Sequence, residues 1–167
     1  MIACLVVLVV LALLSSLAAA PSSSDVLVVV GSRRWRDYPR LCAVCGSLRA
    51  LRPVGAVWSG GARGADTLGV RWARGCGLPV RIWSADWSLG RSAGVRRTVA
   101  MLDAVPADSA LVAFVPGRLS RSRGTLHTVR LALARGLVVY LVEGSRPARL
   151  LGGQLGFRFI SSQEVRP

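Results

Sequence analysis

The chain has 167 residues, of which 52% are hydrophobic and 18% are charged, a balance that excludes a disordered chain and predicts one domain with a sizeable core. The 22 basic residues are all arginine, and with 8 acidic residues they give a net charge of +14. A chain this basic attracts phosphate-bearing partners such as nucleotides, nucleic acids or anionic lipids.

The first segment, residues 2–20, is an apolar run that only Ser15 and Ser16 interrupt. As a helix it would be roughly 28 Å long, close to the hydrocarbon thickness of a bilayer. Because the first arginines follow it, we expect a membrane anchor with the domain facing the cytoplasm. A cleaved signal peptide and a start site placed too early are open alternatives, and without the segment we expect a soluble cytoplasmic protein.

Beyond this segment, apolar runs alternate with helical patterns. Strands are predicted at Val26–Val30, Val54–Trp58, Pro79–Ser84, Ala110–Phe114 and Leu137–Val142. Helices are predicted from Asp37, as N-cap, to about Leu51, at Thr67–Arg74, at Gly94–Ala104, and from the Arg121–Thr125 segment to about Arg135. This alternation predicts an α/β fold, a doubly wound parallel sheet of about five strands in three layers.

The expected organisation has three parts. Residues 1–24 hold the apolar segment and a linker, residues 25–143 form a ligand-binding domain, and residues 144–167 form a basic C-terminal extension. In the extension only Phe157–Ile160 has a strand-like pattern.

A glycine-rich loop follows the second predicted strand, with Gly60, Gly61 and Gly64 in the segment Ser59–Asp66. The backbone N–H groups of such a loop approach a ligand closely, and the start of the next helix favours phosphate. Arg63 adds a planar donor for phosphate, and Asp66 is expected either to cap the helix or to bind a ribose hydroxyl. A plain strand-to-helix turn would also account for the loop.

Three of the predicted strands end in loops that combine glycine with arginine. These loops are Gly31-Ser32-Arg33, Gly60–Gly64 and Pro116–Gly124. Because ligands of doubly wound sheets bind at the carboxyl ends of the strands, we expect one electropositive crevice that binds phosphate and sugar.

The cysteines give no metal signature. Cys42 and Cys45 form a CxxC pair inside a predicted helix, and His127 is the single histidine of the chain. A zinc site needs four ligands, so we expect thiols in a reducing compartment and no metal.

The motifs GSRRW, SGGARGAD, ADW, GRSAGVRRTVAMLD, FVPG and SRGTLHTVRLA, in this order, resemble the SLOG superfamily. Within it the chain is most similar to the YspA-type, cpYpsA-related family of small Rossmann-like domains, over about Val26–Glu143. The resemblance implies a nucleotide-derived ligand, related to ADP-ribose or NAD, in a sensor, signalling or conflict-type domain that requires no cofactor. It implies ligand contacts in four segments: Gly31, Ser32 and Arg33; Gly60, Gly61, Arg63, Gly64 and Asp66; Arg91, Gly94 and Arg96; Gly117, Arg123, Gly124 and Thr125.

The chain departs from this family in two places. Arg96-Arg97 stands where the family usually has Arg-Asn, and the apolar leader is foreign to the usual cytosolic members. The first departure adds charge and removes an amide that would read a base or a ribose.

Two other functions stay open. The Lonely-Guy phosphoribohydrolases resemble the chain at Pro116–Thr125, but their catalytic Glu is missing here, since Leu126–Val129 contains no carboxylate. Catalysis would then depend on Asp66, Asp86 or His127, so we expect binding without turnover.

DprA-like proteins share the glycine-rich loop, which leaves weak binding of single-stranded nucleic acid as a second alternative. Trp35 and Trp87 are the tryptophans expected in the crevice loops. A homo-oligomer is a further open expectation.

Overall fold

The computed structural model describes residues 25–152, which form one β-sheet and the helices that pack against it. The strands are β1 (Val26–Gly31), β2 (Ala56–Ser59), β3 (Val80–Ile82), β4 (Ala110–Val115), β5 (Val138–Glu143) and β6 (Arg149–Gly152). The helices are α1 (Tyr38–Leu51), α2 (Ala65–Gly75), α3 (Ala93–Asp103) and α4 (Arg123–Ala134). Two 3₁₀ helices, Trp87–Ser92 and Leu119–Arg121, precede α3 and α4.

The strand order is β3-β2-β1-β4-β5-β6, and the first five strands are parallel. This confirms the predicted Rossmann-like α/β fold. The order reverses between β1 and β4, which is the switch point at which such sheets bind ligands. The sixth strand, β6, pairs antiparallel with β5 and was not predicted. It extends the sheet past residue 143, where the domain was expected to end.

Two apolar clusters pack on opposite faces of the sheet. Helices α1 and α2 contribute to one of them through Leu41 and Trp72, and α3 and α4 contribute to the other through Met101 and Val129. Strands β1 and β4 are buried on both faces, as their continuous β-branched and apolar sequences predicted. The fold therefore has the three layers that were expected.

Helix α1 shows how local sequence sets an element. Asp37 is its N-cap and accepts a hydrogen bond from the Arg40 N–H at 3.0 Å, as predicted. Leu51 was expected on the buried face of α1 but is 54% exposed, at the last residue of the helix.

The N-terminal apolar segment, residues 2–20, and the strand-like Phe157–Ile160 lie outside the described residues. Among residues 25–152, no helix is long and apolar enough to cross a membrane. In the same range no group of three or more His, Cys, Asp or Glu side chains could hold a metal ion.

Candidate functional site

A cavity of about 980 Å³ opens at the carboxyl ends of β1 and β4, where the strand order reverses. This volume is that of a site for a small ligand. Its walls come from the loop after β1, the loop after β2, the start of α3 and the segment from β4 into α4. The sequence predicted this location from the loops that end the parallel strands.

Eleven of the fifteen predicted ligand-binding residues line this cavity. They are Gly31, Ser32, Arg33, Gly60, Asp66, Arg91, Gly94, Gly117, Arg123, Gly124 and Thr125. The other four, Gly61, Arg63, Gly64 and Arg96, are not among the lining residues. On α3 the guanidinium that lines the cavity belongs to Arg97, next to the predicted Arg96.

The glycines of the loop after β2 are explained by contacts within the protein. A Cβ on Gly60 would overlap the Arg97 guanidinium, and a Cβ on Gly64 would overlap the Ser32 carbonyl oxygen. Gly61 has a φ of +66°, and its Cβ would lie 2.8 Å from Cγ2 of Ile82. Each glycine thus makes room for a protein neighbour, and none of them needs a phosphate to account for it.

The glycines of the segment from β4 into α4 differ in this respect. A Cβ on Gly117 or on Gly124 would meet no described atom within 4 Å, although both residues line the cavity. The open space of the cavity therefore lies against this segment, where a ligand can approach the backbone closely.

The start of α4 supplies backbone donors at this open surface. No side chain among the described residues caps α4, and its N-cap Ser122 pairs its hydroxyl with that of Thr125 at 2.9 Å. The first-turn N–H groups of α4 have no intrahelical acceptor and carry the positive end of the helix dipole. Helix α3 also begins at the cavity without a side-chain cap, but it continues directly from the 3₁₀ helix before it, and its first N–H, that of Ala93, already donates to the Gly90 carbonyl oxygen. The start of α4 is therefore the helix start that favours an anion here.

The charge of the cavity wall is strongly positive. Asp66 is the single carboxylate among the lining residues, against seven arginines. These are Arg33, Arg34, Arg91, Arg97, Arg118, Arg121 and Arg123. Guanidinium groups in this number suit a ligand with more than one phosphate oxygen to bind.

Asp66 joins two of the loops that form the cavity. Its carboxylate accepts hydrogen bonds from the Gly31 N–H at 3.2 Å and from the Ala62 N–H at 3.3 Å. It does not cap α2, whose N-cap is Gly64. Burial raises the pKa of Asp66 to about 6, although the backbone hydrogen bonds and the charge of Arg97 oppose the shift. A contact between Asp66 and a ribose stays a prediction.

Arg97 lines the cavity, whereas the predicted Arg96 does not. Its Nη1 donates to the carbonyl oxygens of Gly60 and Trp83, so it ties the loop after β2 to the loop after β3. Burial lowers the pKa of its guanidinium, and the nearby charge of Asp66 opposes this shift. The signal in the sequence was the pair Arg96-Arg97 itself, but only the start of α3 decides which of the two arginines faces the cavity.

The two tryptophans expected in the crevice have different surroundings. Trp35 is 2% exposed, packs on Phe114 with ring centroids 5.3 Å apart, and is not among the residues that line the cavity. Trp87 lines the cavity and is 62% exposed.

The three candidates for acid–base chemistry are also separated. Asp66 and His127 line the cavity, and Asp86 is absent from its wall. Asp86 instead accepts hydrogen bonds from Ser88 at the start of a 3₁₀ helix. The carboxylate of Glu143, at the end of β5, is held by the Leu119 N–H and by Arg146 and Arg149.

Comparisons with known proteins agree with this fold and site. Residues 26–90 match the family model described as the YspA, cpYpsA-related SLOG family. The chain is also 37% identical over 120 residues to "Gene 61 protein" of Mycobacterium phage D29, which covers 68% of this chain and 92% of the phage protein. No solved structure matches the chain. The chain therefore belongs to the YspA, cpYpsA-related SLOG family, as its motifs predicted, and this membership is consistent with a nucleotide-related function.

Proposed function

We propose that the protein binds a nucleotide-derived ligand of the ADP-ribose or NAD type in this cavity, as a sensor or signalling domain. The observation that carries the proposal is the open surface at Gly117 and Gly124, beside an uncapped helix start and within reach of several arginines. A diphosphate would accept hydrogen bonds from both kinds of donor, the backbone N–H groups and the guanidinium groups.

The proposal moves the main phosphate contact away from the loop after β2. In that loop the Arg97 guanidinium covers Gly60, and Gly61 and Gly64 face other parts of the protein. We place the phosphates at the start of α4, and we assign Asp66 and Arg97 to holding the two neighbouring loops in position.

Binding without turnover is the form of this function that the residues favour. Hydrolysis of an N-glycosidic bond uses a carboxylate that stabilises the oxocarbenium ion or activates water. Both oxygens of Asp66 already accept backbone hydrogen bonds, and Leu126–Val129 supplies no carboxylate. ADP-ribose incubated with the full chain should therefore be recovered intact by chromatography, and released adenine would contradict this part of the proposal.

Single-stranded nucleic acid is the second candidate, favoured by the exposed Trp87 beside a wall with seven arginines. Salt dependence separates the two. A single strand that contacts Z phosphates loses affinity with a log–log slope of roughly −0.7Z, whereas a ligand with two phosphates depends on salt only weakly.

The test titrates the full chain with ADP-ribose and with an oligonucleotide over a range of salt concentrations. We expect saturable binding of ADP-ribose with a shallow slope, and oligonucleotide binding that disappears near physiological salt. Submicromolar oligonucleotide binding at that salt, without competition by ADP-ribose, would replace this proposal with the nucleic-acid function.

A further inference from the structure

We propose that Trp87 is the residue that recognises the base of the ligand, by stacking, so that the site selects base-bearing phosphates over base-free sugar phosphates. This inference rests on the proposed function and adds a specificity determinant to it. It starts from an indole ring that lines the cavity and is 62% exposed.

The other tryptophans of the chain are engaged in the fold. Trp35 packs on Phe114, and Trp58 packs on Trp83 at 5.4 Å, with the Arg81 guanidinium over both of these rings. Trp72 is 5% exposed and belongs to the core. In the range 25–152, the Trp87 ring has neither an aromatic nor a guanidinium partner, so its face is available to a ligand.

Local structure holds Trp87 at the edge of the cavity. The Asp86 carboxylate accepts hydrogen bonds from the Ser88 N–H at 3.0 Å and the Ser88 hydroxyl at 2.6 Å, which caps the 3₁₀ helix that begins at Trp87. The segment then turns at Gly90, whose φ of +70° favours glycine, and continues into α3. The ring is therefore carried by a short capped helix that is joined directly to the wall of the cavity.

The indole ring of Trp87 lies beside α3 and in the same cavity as the phosphate donors. A Cβ on Gly94 would lie 3.7 Å from Cη2 of Trp87, so the indole lies beside the first turn of α3. Trp87 and the start of α4, where we place the phosphates, line the same cavity. A base on Trp87 and a phosphate at α4 would be parts of one ligand.

The surroundings of the ring predict what kind of selectivity results. Val95, which also lines the cavity, is apolar and 47% exposed. Stacking on an aromatic ring tolerates every base, because every base has a π-face. We therefore expect discrimination between ligands with and without a base, and little discrimination among the bases.

The experiment compares AMP with ribose 5-phosphate, which differ only by the base, in calorimetric titrations of the full chain. Three variants are measured beside the wild type: Trp87→Leu, Trp87→Phe and the control Leu89→Ser. Leu89 is 50% exposed on the same 3₁₀ helix but is not among the residues that line the cavity. UMP tests the expected tolerance for a different base.

For the wild type and Leu89→Ser we expect AMP to bind about tenfold or more tightly than ribose 5-phosphate, as stacking of one base provides. Trp87→Leu should bring this ratio close to one without weakening ribose 5-phosphate, and Trp87→Phe should keep most of it. An unchanged ratio in Trp87→Leu, or no advantage of AMP in the wild type, overturns the inference, while saturable binding of ADP-ribose still supports the proposed function. If neither AMP, ribose 5-phosphate nor ADP-ribose binds the wild type, both proposals are wrong.

Discussion

The guanidinium of Arg97 occupies the position that a side chain on Gly60 would take, and its Nη1 donates to the Gly60 carbonyl oxygen. A second hydrogen bond, 3.0 Å long, joins the same nitrogen to the carbonyl oxygen of Trp83. Through this side chain α3 holds the loops that follow β2 and β3. The absence of a side chain at position 60 and the presence of a long cationic one at position 97 are therefore one structural feature.

This relationship predicts that changes at the two positions are coupled. Gly60→Ala should lower the free energy of unfolding by about 1–2 kcal/mol, because the new methyl displaces the guanidinium from its two acceptors. In an Arg97→Ala background the same change should be neutral or stabilising by up to about 1 kcal/mol, because alanine reduces the entropy of the unfolded chain. Denaturant unfolding of the four proteins measures the coupling.

Gly46→Ala is the matched control for this cycle. Gly46 lies on the exposed side of α1, and a Cβ there would meet no described atom within 4 Å. Its effect should be the same with and without Arg97. A coupling between Gly60 and Arg97 below about 0.5 kcal/mol, which is the scatter of independent sites, would contradict the structural relationship.

A second prediction concerns the open surface at the start of α4. Gly124→Leu should weaken ADP-ribose binding by about tenfold or more, because the side chain would enter cavity space where the phosphates are placed. The free energy of unfolding should not fall, since no protein atom lies within 4 Å of the new Cβ and leucine is the better helix former. Titration and denaturant unfolding of the same preparation measure both quantities.

Gly46→Leu serves as the control, because it adds the same side chain at an open helix position that is not part of the cavity wall. It should leave ADP-ribose binding unchanged. Wild-type affinity in Gly124→Leu would show that the phosphates do not bind beside this helix start.

The third prediction revises the expectation for the glycine-rich loop. On the sequence alone, Gly61→Val is expected to block a phosphate and leave the domain folded. In the structure Gly61 has a φ of +66° and its Cβ would lie 2.8 Å from Cγ2 of Ile82. A β-branched residue is strained in this conformation, so we expect a loss of about 1–3 kcal/mol in the free energy of unfolding.

Gly61→Asn separates the backbone strain from the effect of adding any side chain at this position. Asparagine tolerates a positive φ better than valine does. Gly61→Asn should therefore be clearly more stable than Gly61→Val in denaturant unfolding. Equal stability of the valine variant and the wild type would contradict this account and support the original one, in which the loop leaves room for a ligand.

The strands and the location of the cavity could be predicted because both depend on strong local signals. The continuous apolar runs of β1 and β4 are typical of strands buried on both faces in the middle of a parallel sheet. The loops at the carboxyl ends of such strands lie together at one edge of the sheet. Strand β6 was missed because Arg149–Gly152 is short and partly exposed, and it forms only by pairing with the edge of β5.

The roles of individual residues depended on tertiary contacts that sequence does not contain. The sequence does not distinguish a loop glycine that makes room for a phosphate from one that makes room for a protein atom. Gly60 makes room for Arg97. Arg96 was predicted because it matches the family motif, whereas the neighbouring Arg97 is the arginine that lines the cavity. For Asp66 a helix cap or a ribose contact was expected, and its hydrogen bond to Gly31 was missed because Gly31 lies 35 residues earlier in the chain.

The last prediction follows from the burial of Asp66, which raises the pKa of its carboxyl group to about 6. A bound anion would raise this pKa further, because two negative charges in one cavity repel each other. Binding then takes up a proton, so the affinity for ADP-ribose should increase as the pH falls from about 8 towards 6. Below about pH 6 the carboxyl group is protonated before the ligand binds, and the affinity should level off.

Titrations with ADP-ribose suit this measurement, because its diphosphate bridges two riboses and has no terminal phosphate that titrates near pH 6. His127, a candidate for acid–base chemistry, also lines the cavity, so the measurement is made in a His127→Gln background. In that background Asp66→Asn should bind ADP-ribose with an affinity that no longer depends on pH between about 6 and 8. An affinity that rises with pH, or a pH dependence that survives in Asp66→Asn, would show that the Asp66 carboxylate does not face the ligand's charge.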